Sequence, residues 1–232
     1  MTEKYSSVAI IPFKENSERV PGKNFKTFGG QPLYQHIIQK ALKSNLEKIF
    51  ICTNSESARE EVKKMGPRVE ILGCPDWYFG KTITGDKLLS VPAKAIDADI
   101  YVQLFATAPF LRPETINDAI STLQERTEYD SVLTVMNKHD WAWYKGNPIT
   151  YYPGNLPRSQ DASPLVVEST GLYAMTKESL LNLQRRVGNH PYFLEVDEIE
   201  GWDIDTPLQF KLAELFIENI GEMEKLTNKK YF

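Results

Sequence analysis

Cysteine is scarce in this chain: Cys52 and Cys74 stand alone among 232 residues. No Cys-x-x-Cys spacing and no nearby histidine pattern accompanies them, so neither a disulfide framework nor a zinc site is indicated. The three histidines, His36, His139 and His190, lie far apart. No Ser-His-Asp order or Gly-x-Ser-x-Gly elbow surrounds them, so each is read as a packing or surface residue rather than a catalytic one. Excess positive charge is missing too. The formal net charge is −4, which excludes a broad basic face for nucleic acid or membrane and makes any cationic segment a local feature. No apolar run approaches the ~20 residues that span a bilayer. The start, MTEKYSS, lacks the charged-then-apolar layout of a signal peptide, and the expectation is a cytoplasmic protein. No GxxxxGK[ST] string is present, which removes a Walker-type phosphate loop. Repeats, low-complexity tracts and linkers are absent as well. What remains is long enough to bury the core of one large domain, 1–232, with room for one excursion.

Short apolar runs alternate with helical patterns. The runs predict strands at 8–11, 48–52, 69–72, 100–105 and 131–135, with helices at 32–43, 55–65 and 113–126. In the last of these, Ile116, Ala119, Ile120 and Leu123 follow the spacing of a buried helical face. Pro32 and Pro113 suit first-turn positions, where a missing amide costs little. Residues 82–96 read as one broken helix, because Pro92 interrupts the pattern. Alternating strands and helices of these lengths predict a doubly wound α/β fold on a mainly parallel sheet, with ligands gathered at the carboxyl ends of strands. Over 137–165 the pattern lapses into aromatics, proline and glycine. A structureless loop of that length is uncommon in a compact domain, so the segment is expected to be an inserted arm. Trp141, Trp143, Tyr144, Tyr151 and Tyr152 would suit contact with another subunit, or equally a flap over the chain's own core.

Two segments carry most of the chemistry. The first is IIPFKENSERVPGKN at 10–24, where an apolar strand ends at Pro12 and opens into a loop bearing Lys14, Arg19 and Lys23. A strand, a cationic turn with Gly22 and a following helix make a place to hold phosphates, although a basic loop is also compatible with plain solvation. The second is GWDIDTP at 201–207. In extended backbone, Asp203 and Asp205 share one face, with Ile204 on the other. Paired carboxylate oxygens suit Mg²⁺. Alternatively, Asp205 favours the amino end of the helix that Thr206–Pro207 opens, with Leu208, Leu212, Leu215 and Phe216 on one face.

The loop resembles the amino-terminal signature of the acylneuraminate cytidylyltransferase family, which includes CMP-sialic acid, CMP-legionaminic acid and CMP-Kdo synthetases. Its usual pattern runs roughly IIPARGGSKRLPGKN, and Pro12, Ser17, Arg19, Pro21, Gly22, Lys23 and Asn24 stand in matching places. Lys14 replaces a nucleotide-binding arginine, and Glu18 replaces a lysine that meets the triphosphate. Further likeness lies in YVQLFATAPFLR at 101–112, PRSQD at 157–161, VVESTGLYAM at 166–175 and the D-I-D motif. Cys74–Pro75 stands where the family has an Arg-Pro pair, and Ser169–Thr170–Gly171 where it has Asn-Gly-Ala.

The resemblance implies a Rossmann-like nucleotidyltransferase whose arm builds a homodimer and reaches the neighbouring active site. It implies that Pro12, Phe13, Lys14, Ser17, Arg19, Lys23, Asn24 and Asp86 bind the nucleotide, and that Asp203 and Asp205 hold Mg²⁺. Gln103, Thr107, Arg158, Gln160, Asp161 and Thr170 would form the acceptor pocket, with Arg158 meeting an acidic group. From the residues alone, Gln103 is equally a buried amide and Arg112 a helix-start residue. The implied reaction transfers CMP from CTP to an acidic sugar with loss of pyrophosphate, Lys23, Arg19, Asp203 and Asp205 carrying the catalysis. Two alternatives stand beside it: a cytidylyltransferase for a phosphate or phosphonate acceptor, and a nucleotide-binding regulator without catalysis.

Overall fold

A computed structural model of the protein describes residues 4–232, so the first three residues of the MTEKYSS start lie outside the described residues. The chain runs β1 (Lys4–Pro12), the hairpin β2 (Thr27–Phe28) and β3 (Gln31–Pro32), α1 (Leu33–Lys43), β4 (Lys48–Cys52), α2 (Glu56–Val62) and β5 (Val69–Ile71). It continues through α3 (Gly85–Ala93), β6 (Asp97–Leu104), α4 (Pro113–Glu125), β7 (Ser131–Lys138) and the hairpin β8 (Trp143–Tyr144) and β9 (Asn147–Pro148). The remainder is β10 (Leu165–Thr176), α5 (Lys177–Leu183), β11 (Pro191–Glu195), α6 (Pro207–Glu218) and α7 (Ile220–Thr227).

Seven strands form one sheet in the order β11-β7-β10-β6-β1-β4-β5. Every pairing is parallel except those of β10, which lies antiparallel between β6 and β7. Strand alternation divides the core. Ala9 and Ile11 of β1 face α1, α2 and α4, packing with Ile37, Val62 and Ile116. Val8 and Ile10 face the other way, against Leu89 of α3 and Leu180 of α5. This is the two-sided burial expected of parallel strands. Each fully buried aliphatic side chain contributes roughly 1.5–3 kcal/mol. A third cluster, built on Phe28, Phe110, Ile204 and Phe210, seats α6 beside the sheet.

The doubly wound architecture, the mainly parallel sheet and the five expected strands are present, with ends shifted by a few residues. Pro113 occupies the first turn of α4, whereas Pro32 caps α1 from outside. The broken helix becomes α3 with Pro92 near its end. Proline there lacks the amide that would reach the Leu88 carbonyl four residues back. The Tyr78 hydroxyl donates to that carbonyl instead, at 2.6 Å. Strands β10 and β11 and helix α5 were not expected from the sequence.

The segment between β7 and β10 carries only the β8–β9 hairpin, an isolated bridge from Tyr152 to Asn155 and a 3₁₀ turn at Ser159–Asp161. Trp143, Tyr144 and Tyr152 are 58%, 62% and 84% exposed, whereas Thr150 and Ala162 of the same segment are buried. His36 is buried and packs, its Nε2 2.7 Å from the Phe28 carbonyl oxygen. No helix among the described residues is long and apolar enough to cross a membrane.

Candidate active site

The loop 13–24 leaves the carboxyl end of β1 and is tied down at both ends. The Phe13 amide donates to the Cys52 carbonyl at 3.0 Å, and Asn24 Nδ2 donates to the Lys14 carbonyl at 2.9 Å. Phe13 stacks on Tyr34 at 4.8 Å between ring centres, which fixes the loop's root on α1. Gly22, at φ +64°, takes the left-handed turn that brings Lys23 inward. Lys23 is 8% exposed, and its ammonium donates to the Ile204 carbonyl and lies 3.5 Å from Asp205 Oδ1. Burial lowers its pKa, opposed by the fields of Asp205 and Asp203.

Opposite the loop stands the 201–207 segment. The Ile204 amide donates to the Thr107 carbonyl at 2.9 Å, and its side chain is fully buried. Helix α6 is capped by Thr206, whose hydroxyl accepts from Gln209 N; Gln209 Oε1 in turn accepts from the Thr206 and Asp205 amides. Capping therefore does not use the Asp205 carboxylate. That carboxylate accepts from Arg19 Nη2 at 2.6 Å and faces Lys23. Asp203 accepts from Thr170 Oγ1 at 2.9 Å and from Thr107, while its Oδ1 is buried without a partner. Burial raises the Asp203 pKa, and the Asp205 charge adds to the rise against the two threonine bonds. Thr170 sits at φ +56°, beside the register shift of β10. A β-branched residue there is strained, and the strain accompanies a hydroxyl aimed at a buried carboxylate.

A cleft of about 250 Å³ opens between the loop, the 78–81 turn and the residues that follow β6, and neither Asp203 nor Asp205 lines it. Pro12, Phe13, Lys14, Ser17, Lys23 and Asn24 line one side and Thr107 another, with Arg19 on an adjoining hollow. The structure thus brings most of the predicted nucleotide residues together with Asp203 and Asp205. Asp86 does not line the cleft; its Oδ1 accepts from the Arg186 amide at 2.9 Å. Gln103, a predicted acceptor residue, does not line the cleft either. It is fully buried, donates from Nε2 to the Gly85 carbonyl at 3.2 Å and leaves Oε1 without a partner. Arg158, Gln160 and Asp161 sit on the exposed arm, where Arg158 Nε donates to Asp161 Oδ2 at 2.6 Å.

Sequence reasoning missed two contributors. The turn after β5 delivers Tyr78, Phe79, Gly80 and Lys81 to the cleft wall. Lys81 Nζ lies 4.0 Å from Glu18, so the carboxylate at the unusual loop position faces a cation from another element. A lysine after glycine in a turn beside a strand end was the available signal. Glu200 is the second: only 1% exposed, it accepts from Arg112 Nε at 2.9 Å and from the Arg112 amide at 3.1 Å. It anchors the Asp203–Asp205 segment to the start of α4, and Arg112 is accordingly a helix-start residue.

Among solved structures, this fold is shared with CMP:2-keto-3-deoxy-manno-octonic acid synthetase complexed with CTP. The TM-score is 0.68 at 16% identity, over 93% of this chain and 99% of that one. 4-Diphosphocytidyl-2C-methyl-D-erythritol synthase from Anaerococcus prevotii matches with a TM-score of 0.68 at 11% identity, over 92% and 99%. These two structures share the α/β fold of this chain. A family model described as cytidylyltransferase matches residues 8–150, and the chain belongs to that family. It is 26% identical to N-acylneuraminate cytidylyltransferase A of Danio rerio, over 94% of this chain and 52% of that protein. To the CMP-N,N'-diacetyllegionaminic acid synthase of Legionella pneumophila it is 25% identical, over 91% and 96%. A 3-deoxy-manno-octulosonate cytidylyltransferase of Geobacter metallireducens is 34% identical over 50% of this chain and 43% of that protein. The chain spans about half the length of the first of these curated relatives.

Proposed function

We propose that this protein transfers CMP from CTP to an acidic sugar of the nonulosonic or octulosonic acid type, releasing pyrophosphate. The observation that carries the reading is the convergence of Arg19 and Lys23 on Asp205, with Asp203 alongside, at the cleft above β1. Family membership and the relatives' names support it. In the reaction the acceptor hydroxyl oxygen bonds to the α-phosphorus in line, the bond to the bridging oxygen breaks, and pyrophosphate leaves. The hydroxyl proton passes to solvent. Such a step depends on positioning and charge neutralisation rather than a covalent nucleophile.

Lys14, Arg19 and Lys23 would hold the triphosphate, Arg19 and Lys23 exchanging their contacts with Asp205 for phosphate oxygens. Phe13 and Asn24 keep the loop in place around the nucleotide. The donor set of Asp203 and Asp205 fits Mg²⁺: both offer oxygen, and Asp203 has a buried carboxylate oxygen with no other partner. Among the described residues no third His, Cys, Asp or Glu joins them, so phosphate and water oxygens would complete the shell. Bound there, Mg²⁺ would neutralise phosphate charge and lower the pKa of the attacking hydroxyl. The exposed aromatic arm fits contact with a second copy of the chain, in keeping with a homodimer.

The test is pyrophosphate release from CTP and Mg²⁺ across N-acylneuraminate, N,N'-diacetyllegionaminic acid, 3-deoxy-manno-octulosonate and small phosphate esters or phosphonates. Release with one acidic sugar, and none with ATP, is the expected result. Release only with a phosphorylated acceptor, giving a new P–O–P linkage, would replace the sugar-acid reading. CTP binding without turnover on any acceptor would replace it with a binding role.

A further inference from the structure

The two cysteines, which the proposed reaction does not use, meet behind the cleft wall. Cys52 is the last residue of β4, and Cys74 lies just past the end of its parallel neighbour β5. The Leu72 amide donates to the Ile51 carbonyl at 2.9 Å, so the two chains still run side by side where the cysteines stand. Cys52 is fully buried, and the half-buried Cys74 packs against the same apolar cluster. Their thiols are hydrogen-bond partners, yet they differ in character. The Cys52 S–H donates to Cys74, which lowers the Cys74 pKa against its burial, and the Arg59 charge adds to the drop. The same bond and burial raise the pKa of Cys52. Arg59 is itself fixed, its Nε and Nη2 donating to the Thr53 carbonyl at 3.1 and 2.8 Å. One thiol is therefore activated and reachable, with a second thiol held in contact behind it, the arrangement of an oxidisable cysteine and a resolving partner.

Both cysteines are tied to the cleft through their own backbone. The Cys52 carbonyl accepts from the Phe13 amide at the root of the 13–24 loop. Cys74 leads through Pro75 into the turn that supplies Tyr78, Phe79, Gly80 and Lys81 to the cleft wall, and the Tyr78 amide closes on the Pro75 carbonyl at 2.9 Å. Tyr78 joins the two sides: buried, its hydroxyl contacts the Cys52 thiol as well as the Leu88 carbonyl. Drawing Cys74 from a hydrogen bond into a covalent bond with Cys52 shifts the start of this turn against a fixed strand end.

We propose that Cys52 and Cys74 are an oxidisable pair whose disulfide displaces the 75–81 turn and weakens nucleotide binding in the cleft. The oxidant is a peroxide. The Cys74 thiolate attacks one peroxide oxygen; the S–O bond forms, the O–O bond breaks, and the departing oxygen takes the proton that Cys74 released. The Cys52 sulfur then attacks the Cys74 sulfenic acid. The S–S bond forms, the S–O bond breaks, and hydroxide takes the Cys52 proton and leaves as water. Two electrons pass from the thiols to the peroxide, and a dithiol reverses the step by exchange. Disulfide formation stands apart from the proposed reaction; only its effect on CTP rests on that reading.

The test treats reduced protein with hydrogen peroxide, alkylates the remaining thiols, maps the peptides by mass and titrates CTP with Mg²⁺ by calorimetry. C74S, C52S and C52A accompany wild type, each checked for folding by its melting temperature. Wild type is expected to lose both thiols and two hydrogens and to yield a peptide linked through Cys52 and Cys74. Its CTP binding should weaken roughly tenfold, less than the ~100-fold that a misplacement of about 1 Å costs a reacting group, and dithiothreitol should restore it. C74S should bind CTP as reduced wild type does, before and after peroxide. In C52S and C52A, Cys74 should stop at a sulfenic acid that dimedone captures. Two free thiols after peroxide, or Cys74 carried to a sulfonic acid in wild type with no linked peptide, would overturn the pair. A linked peptide with unchanged CTP affinity would overturn the coupling to the cleft. Protein that forms the disulfide yet binds no CTP in its reduced state would overturn the proposed function and the coupling, while confirming the pair.

Discussion

At the scale of single residues, Asp203 shows function opposing stability. Burial holds its carboxyl above the usual range, so the native state binds a proton more tightly than the unfolded chain does. The ionised form therefore costs stability above that raised value, and the cost is relieved as pH falls through it. In metal-free protein, D203N is expected to be more stable than wild type by about 1 kcal/mol at neutral pH, with the gap closing as the solution is acidified. Urea unfolding in the presence of a chelator at several pH values measures this; a less stable D203N would show that the charge is compensated. Pyrophosphate release by D203N should fall by several orders of magnitude if the carboxylate holds Mg²⁺.

Glu18 and Lys81 make a second residue-scale case. The carboxylate at position 18 faces a lysine that lines the cleft beside Lys14 and Ser17. We expect Lys81 to supply phosphate-directed charge from outside the loop. K81A should weaken CTP binding about five- to tenfold while changing CMP binding little, the contact being exposed and screened by salt. Equal losses for CTP and CMP in titration calorimetry would contradict it. The loop residues and the D-I-D aspartates were legible because they are contiguous in sequence. Lys81 was not, since it reaches the cleft from a turn whose placement only folding sets.

At the scale of elements, the strands with continuous apolar runs were legible, β1, β4 and β6 above all. Both of their faces are covered, and two-sided burial writes itself as an unbroken run. Strand β10 is different. Val166 and Val167 are exposed at its start, Thr170 breaks its register, and continuous burial begins only at Gly171, so no period extends over its length. Strand β11 is a short edge with Phe193 half exposed, and α5 has only two turns.

Helix α3 was read as broken because Pro92 removes an amide, and what keeps it whole is a side chain from outside the helix. Y78F should therefore cost about 1–2 kcal/mol by orphaning the Leu88 carbonyl. P92A restores the amide donor, so Y78F should be less costly in a P92A background. Additive losses in a denaturation double-mutant cycle would contradict that coupling.

At the scale of the whole molecule, the arm leaves Trp143, Tyr144, Ile149, Tyr152 and Leu156 more than half exposed together. That many large apolar side chains exposed on one segment is uncommon on a monomer. Sedimentation analysis should show a dimer at micromolar concentration, and Y152D with W143D should shift it toward monomer without lowering the melting temperature of the subunit. A monomeric wild type would leave the arm to another partner.

The reversed strand has a consequence for how such a protein diversifies. Because β10 runs against its neighbours, its first residues and the arm before it arrive at the same rim as the carboxyl ends of β1 and β6. The loop 13–24 belongs to the first third of the chain, whereas Thr170, which bonds Asp203, belongs to the last. On the proposed reading, the triphosphate loop and the arm with β10 are separate stretches of sequence that meet at one rim of the sheet. Selection, or a designed chimera exchanging 139–186, can retune one without rewriting the other.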